Sequence, residues 1–162
     1  YKPDPVPQEL LDQIIEAGLY AANGKGFQNT IIIQVTNKKL RDEISEKNRE
    51  ILGAKEGTDP FYGAPAMLIV LAKKDWYNAK YDGALVMGNL MLAAHELGLG
   101  SCWINRAREE FETDWGRNLL NSLGIKEEYV RSLSILPVVS RKRLIAASVG
   151  VTTVLKPIIS CA

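Results

Sequence analysis

Few side chains in this 162-residue chain could do chemistry by themselves. It has one histidine, His95, set in an apolar stretch. A Ser-His or Cys-His couple would have to use it, and no elbow-type nucleophile turn lies nearby. A core or interface histidine suits the surroundings better. Two cysteines, Cys102 and Cys161, can build neither a disulfide framework nor a zinc cage. No His, Cys, Asp or Glu group stands at metal-ligand spacing. Gly98-Leu99-Gly100-Ser101-Cys102-Trp103 is similar to half of a dinucleotide fingerprint. It follows a helix and precedes a strand, the reverse of the required order, and lacks the third glycine. Asn23-Gly24-Lys25-Gly26 is no phosphate loop and by itself reads as a helix-ending turn. Glu109 and Glu110 read as a solvated face. An enzyme without reactive groups of its own borrows them from a cofactor; a plain binding module also fits these residues.

The elements that must position such residues follow from periodicity. Leu10, Leu11, Ile14, Ile15 and Leu19 recur at helical spacing after Pro7, which suits a first helical turn. Thr30 to Val35 is a buried strand, Lys38 to Leu52 a polar helix, and Met67 to Ala72 a second apolar strand. Gly53 to Pro65 is a loop carrying Phe61 and Tyr62. Asp82 is placed to cap a helix running to Leu97, with Gly98 at its close. That helix is apolar around most of its circumference, so its own domain or a partner must cover it. Gly100 to Ile104 is a short strand, and Thr113 caps a helix closed by Gly124. Ser132 to Val139 is a strand in which Pro137 argues for an edge position or an early end. Alternating helices and strands predict a sheet covered by helices.

The length suits one domain, and a chain of this size buries about 70% of its unfolded surface. Net charge is +1, so no global field favours nucleic acid or an anionic membrane. No apolar run reaches the ~18 residues of a membrane span, and no start reads as a signal peptide. With this cysteine usage, a cytoplasmic location is expected. The charge is unevenly spread. Residues before 131 hold all nineteen acids and fifteen of the twenty bases, a net −4. The last thirty-two residues hold Arg131, Arg141, Lys142, Arg143 and Lys156 and no acid, a net +5. A basic nucleic-acid tail is one reading, but Leu, Ile and Val are too frequent for a solvated arm. An ordinary apolar strand with its loop is another, and sequence from a shifted reading frame a third.

Four stretches in one order resemble the nitroreductase family. Pro3 to Leu11 with Ile14 to Gly18 looks like its first helix. Tyr20-Ala21-Ala22-Asn23-Gly24-Lys25-Gly26-Phe27-Gln28-Asn29 looks like its flavin-side loop. Tyr81 to Asn89 and Leu92 to Ile104 look like its central helix and the strand that follows. The likeness covers about residues 1 to 130. It implies a three-layer α+β fold with a mostly antiparallel central sheet flanked by helices. It implies a homodimer formed through the Asp82 to Leu97 helix, with FMN in each interface cleft. The implied reaction takes hydride from NADH or NADPH through FMN to a nitroaromatic or quinone-type acceptor, a small aromatic molecule. The implied cofactor-binding residues are Asn23, Gly24, Lys25, Gln28, Gly100, Ser101, Cys102 and Trp103, with no catalytic side chain and no metal. Within that set Trp103 is expected to pack in the core, and Lys25 is either a partner for negative charge on the flavin or a solvated lysine. Phe61 and Tyr62 either border the substrate channel or anchor their loop.

Two departures qualify the resemblance. Family members carry an Arg-Arg-Ser-x-Arg segment just before the Lys-Pro-Asp-Pro stretch, and these residues hold the flavin phosphate. The sequence starts at Tyr1, so weakened flavin binding is expected. From Arg131 the chain is expected to depart from the family, where the charge balance also changes. Residues 1–130 are therefore expected to form the nitroreductase-like domain. Residues 131–162 are expected to form a divergent basic segment, frame-shifted or otherwise replaced. A non-catalytic or cofactor-impaired dimeric remnant of the same fold is the alternative reading.

Overall fold

The computed structural model describes residues 4–125, 129, 131–140 and 152–155. Helix α1 (Gln8–Leu19) starts directly after Pro7, whose carbonyl accepts from the amides of Leu10 and Leu11. Strand β1 (Thr30–Val35) leads to α2 (Lys38–Leu52), capped where the Asn37 side chain accepts from the Leu40 amide at 3.0 Å. Strand β2 (Ala66–Ala72) precedes α3 (Ala79–Glu96), and Gly98 closes that helix with φ +72°. Then come β3 (Leu99–Ser101), the short α4 (Ala107–Phe111), α5 (Asp114–Ser122), β4 (Arg131–Ser140) and β5 (Thr152–Leu155).

The sheet order is β3-β4-β2-β1-β5, with all four pairings antiparallel. Every residue of β1 and β2 is buried, so their side chains sort by parity between two cores. Ile32, Leu68 and Val70 face α1 and α3, where they meet Leu11, Ile14 and Leu90. Ile31, Ile33 and Ile69 face the other layer, with Ile44 of α2 and Phe111 of α4. This is the expected three-layer α+β arrangement with an antiparallel sheet. Among the described helices none is long and apolar enough to cross a membrane.

Three expectations need correction. The long helix begins at Ala79, so Asp82 lies in its first turn and does not cap it. Pro137 does not put β4 at an edge or end it early: β4 lies between β3 and β2 and runs to Ser140. The ladder with β3 tolerates the proline because it breaks there. Ser101 pairs with Val138, which sets Cys102 opposite Pro137, and pairing resumes only at Ile104 with Ile135. The missing N–H thus falls where β3 has already stopped. The adjacent pair Glu109 and Glu110 is not a solvated face throughout, because Glu110 is fully buried.

Candidate functional site

The Asn23–Gln28 loop is a single 3-10 turn held in an unusual backbone shape. Lys25 and Gln28 both have positive φ, +58° and +49°, a conformation residues with a Cβ adopt only when their surroundings impose it. Two contacts do so here. The Asn23 side chain accepts from the Gln28 amide at 3.0 Å, closing the loop on itself. The Asp82 carboxylate accepts from the Gly24 amide at 2.9 Å and, through its other oxygen, from the Trp76 indole N–H at 2.6 Å. Asp82 is buried in the first turn of α3, where the helix dipole favours its charge. A Cβ on Gly24 would lie 2.5 Å from Asn78 Nδ2 and 2.9 Å from Trp76 Cζ2, so a larger residue there would force these side chains to shift. At Gly26 an added Cβ would meet nothing within 4 Å, so the loop presents bare backbone to open space.

Gly100 to Trp103 belong to the other end of the molecule. Gly100 is buried in β3, while Ser101 and Cys102 are half-buried. Trp103 is not a core residue: it is 39% exposed, and its indole N–H donates to the Ser134 hydroxyl. The loop sits where β1 begins and α3 starts; β3 follows the far end of α3. From Asp82 to Glu96 the helix runs about 20 Å. The register gives a matching span. Thr30 lies opposite Ala72, Ser101 is level with Val138 and hence Ala66, and Ala66 to Ala72 covers about 20 Å of strand. The two halves of the expected site therefore do not meet within one protomer.

Comparison with known proteins identifies the family. The nitroreductase family model matches residues 1–138. The chain belongs to the nitroreductase family. A Bacteroides fragilis nitroreductase solved with bound FMN superposes with a TM-score of 0.76 at 26% identity, over 92% of this chain and 87% of that one. A Desulfitobacterium hafniense nitroreductase with bound FMN gives 0.78 at 25% identity, over 92% and 86%. A Methanothermobacter thermautotrophicus protein, provisionally named NADH dehydrogenase/NAD(P)H nitroreductase, is 26% identical over 144 residues, 85% of this chain and 68% of its own length.

The other side chains singled out in this nitroreductase divide cleanly. His95 is exposed, so it is not a core histidine. Phe61 is fully buried beneath the Arg41 guanidinium and anchors its loop, whereas Tyr62 is 58% exposed. Arg41 donates to the Ala64 carbonyl and the Asp59 carboxylate, which commits it to structure. Among the described residues no group of three or more His, Cys, Asp or Glu could hold a metal. Arg141-Lys142-Arg143 and Cys161 lie outside the described residues. Sequence reasoning missed Trp76 altogether and took Asp82 for a cap. The contact that joins both to the loop spans 58 residues of chain, and no local pattern signals it.

Proposed function

We propose that this nitroreductase is a homodimeric flavoprotein that uses FMN to carry hydride from NADH or NADPH to a nitroaromatic or quinone-type acceptor. The observation that carries this reading is the separation of the loop from β3. A second copy related by a two-fold axis, with its α3 antiparallel to the first, would bring each loop to the other protomer's β3 end. The outer face of α3 suits that contact. Tyr81, Leu85 and Leu92 are 68%, 48% and 71% exposed and lie at helical spacing around Gly88, whose absent side chain leaves open space. The residues fit a flat polar ring, because the backbone at Gly26 can be approached closely and Lys25 stands exposed beside it. In this reading Asn23 shapes the loop, Gly24 and Gln28 present it, and Lys25 favours negative charge near the ring. Gly100, Ser101, Cys102 and Trp103 of the partner copy would close the opposite side. When bound, FMN supplies the redox chemistry that no side chain here provides. A cytoplasmic location, from the cysteine usage, belongs to the same reading.

Absorption spectroscopy of the purified protein with added FMN tests it. Protein-bound flavin bands that bleach with NADH or NADPH and recover on adding a quinone are expected. A protein that stays colourless and inert after FMN addition would leave only a scaffold without the activity.

A further inference from the structure

Three polar side chains form a chain of hydrogen bonds between α2 and α4. Arg106, at the start of α4, donates through Nε to Asn48 Oδ1 at 2.9 Å, and Asn48 donates through Nδ2 to Glu110 Oε2 at 3.1 Å. Asn48 and Glu110 are fully buried, and Arg106 is half-buried. Only the oxygen of the Asn48 amide can accept from a guanidinium, so its nitrogen must face Glu110. Glu110 Oε1 then has no partner, and it is the one buried side-chain polar atom so placed among the described residues. With Oε2 accepting, the proton of the neutral acid belongs on Oε1. Loss of that proton would leave charge on a bare buried oxygen, which demands a donor. Arg106 can supply one. Its two Nη groups make no hydrogen bond among the described residues, and it lies one helical turn before Glu110, whose amide donates to the Arg106 carbonyl at 3.2 Å. The other charges on the packed elements are engaged elsewhere or face solvent. On α2, Arg41 pairs with Asp59, Lys47 with Glu50 and Arg49 with Glu46. On α4, Arg108 pairs with Glu112 and Glu109 is exposed. On α5, Asp114 pairs with Arg117. The described side chains of β4, Ser134 to Val139, carry no charge.

We infer that Arg106, Asn48 and Glu110 form a proton-operated latch: while Glu110 is protonated Arg106 stays on Asn48, and when the proton leaves for solvent Arg106 swings onto Oε1 and releases the Asn48 carbonyl. Burial pushes the Glu110 carboxyl up to about 8, so the latch turns in mildly alkaline solution. The swing has a defined outlet. Ile104 is held to Ile135 by a pair of backbone hydrogen bonds, and α4 begins at Ala107, so Asn105 and Arg106 are the whole link that can give. That link follows directly on Trp103. Through it the latch regulates the β3 side of the proposed crevice, a consequence that rests on the flavin reading.

Nitrogen NMR of the Arg106 Nε–H and Asn48 amide groups, followed across mildly acidic to alkaline pH with and without FMN, tests the latch. In the wild type both signals are expected to move along one titration with a midpoint near 8. Glu110→Gln, which imitates the neutral acid, should hold both still. Arg106→Ala should leave the Asn48 signal titrating with a higher midpoint, because the cation that favours the carboxylate is gone. FMN titration reads the consequence for the crevice. Between neutral and alkaline pH the wild type should lose roughly fivefold more affinity than Glu110→Gln, the size of a modest coupling between sites. Signals that stay still in the wild type, or that titrate equally in Glu110→Gln, would overturn the latch. An equal loss of FMN affinity in both proteins would overturn its hold on the crevice. A protein that binds no FMN at any pH defeats the proposed function and with it that hold, while the signals of the flavin-free protein still read the latch.

Discussion

A buried carboxylate is stable only where donors surround it, and Asp82 accepts from a backbone amide and an indole on two different segments. Asp82→Ala leaves both donors without their acceptor, at about 1–3 kcal/mol each. Urea denaturation should show that loss, and FMN titration a weaker affinity, because the strained Lys25 and Gln28 backbone loses its tether. Glu110 tests the opposite situation. Burial pushes its carboxyl up to about 8 from an ordinary 4.5, only partly offset by the Asn48 amide at 3.1 Å and the nearby Arg106 charge. One of its oxygens is buried with no hydrogen-bond partner. The folded protein therefore holds this proton more tightly than the unfolded chain. Its contribution is fully present below about pH 4.5 and is lost as pH rises through about 8, a change on the order of a few kcal/mol. Glu110→Gln should flatten that part of the profile when the urea midpoint is followed from pH 5 to 9. An unchanged slope would assign the pH dependence to other groups. Asp59 acts on the acid side. Burial alone would raise it, but donors from Arg41, Ser45, Phe61 and Gly63 outweigh this and hold it below the usual carboxylate range. Neither carboxylate was visible as special in the sequence, because burial and long-range donors are properties of the fold.

At the scale of elements, legibility followed how local each cause was. Strand β1 and helix α2 fall where β-branched content, the Asn37 cap and the terminal Gly53 place them. The start of α3 was missed although Asn78 stands at its N-cap position; that side chain makes no capping hydrogen bond, and Asp82 stands closer to the apolar run that the periodicity marks. Strand β5 escaped notice because a four-residue strand has no periodicity to read, and only pairing with β1 defines it. The apolar circumference of α3 was legible, and its outer stripe carries a prediction. Leu85→Asp or Leu92→Lys should leave the fold intact, since both side chains are exposed, yet shift sedimentation from dimer to monomer. A second prediction concerns α4 and α5. A Cβ on Gly116 would lie 2.4 Å from the Phe111 Cα, so Gly116→Ala forces the two helices apart. Thermal or urea denaturation should show a loss of about 1–3 kcal/mol or more, the range for overpacking.

At the scale of the whole molecule, the change in charge at Arg131 falls inside the sheet. The family model continues to residue 138, and Ser134 to Val139 of β4 are buried between two neighbouring strands. We propose that the segment from about residue 131 arose by a shift of reading frame, whose apolar residues nonetheless suit a strand. The encoding DNA should then contain an overlapping family-like frame, and its absence removes the idea. The family was legible because four local stretches carry it. That one protomer holds the two halves of the proposed site about 20 Å apart was not, since only the register and the length of α3 reveal it. Subunit complementation tests this most directly. Asp82→Ala damages the loop, and Ser101→Tyr blocks the β3 end; either homodimer should fail to hold FMN. Mixed and reassociated, they should form heterodimers with one undamaged crevice and regain one flavin per mixed dimer, read by absorbance after gel filtration. No flavin regained in the mixed dimer, or FMN retained by monomers, would contradict a site shared between two copies.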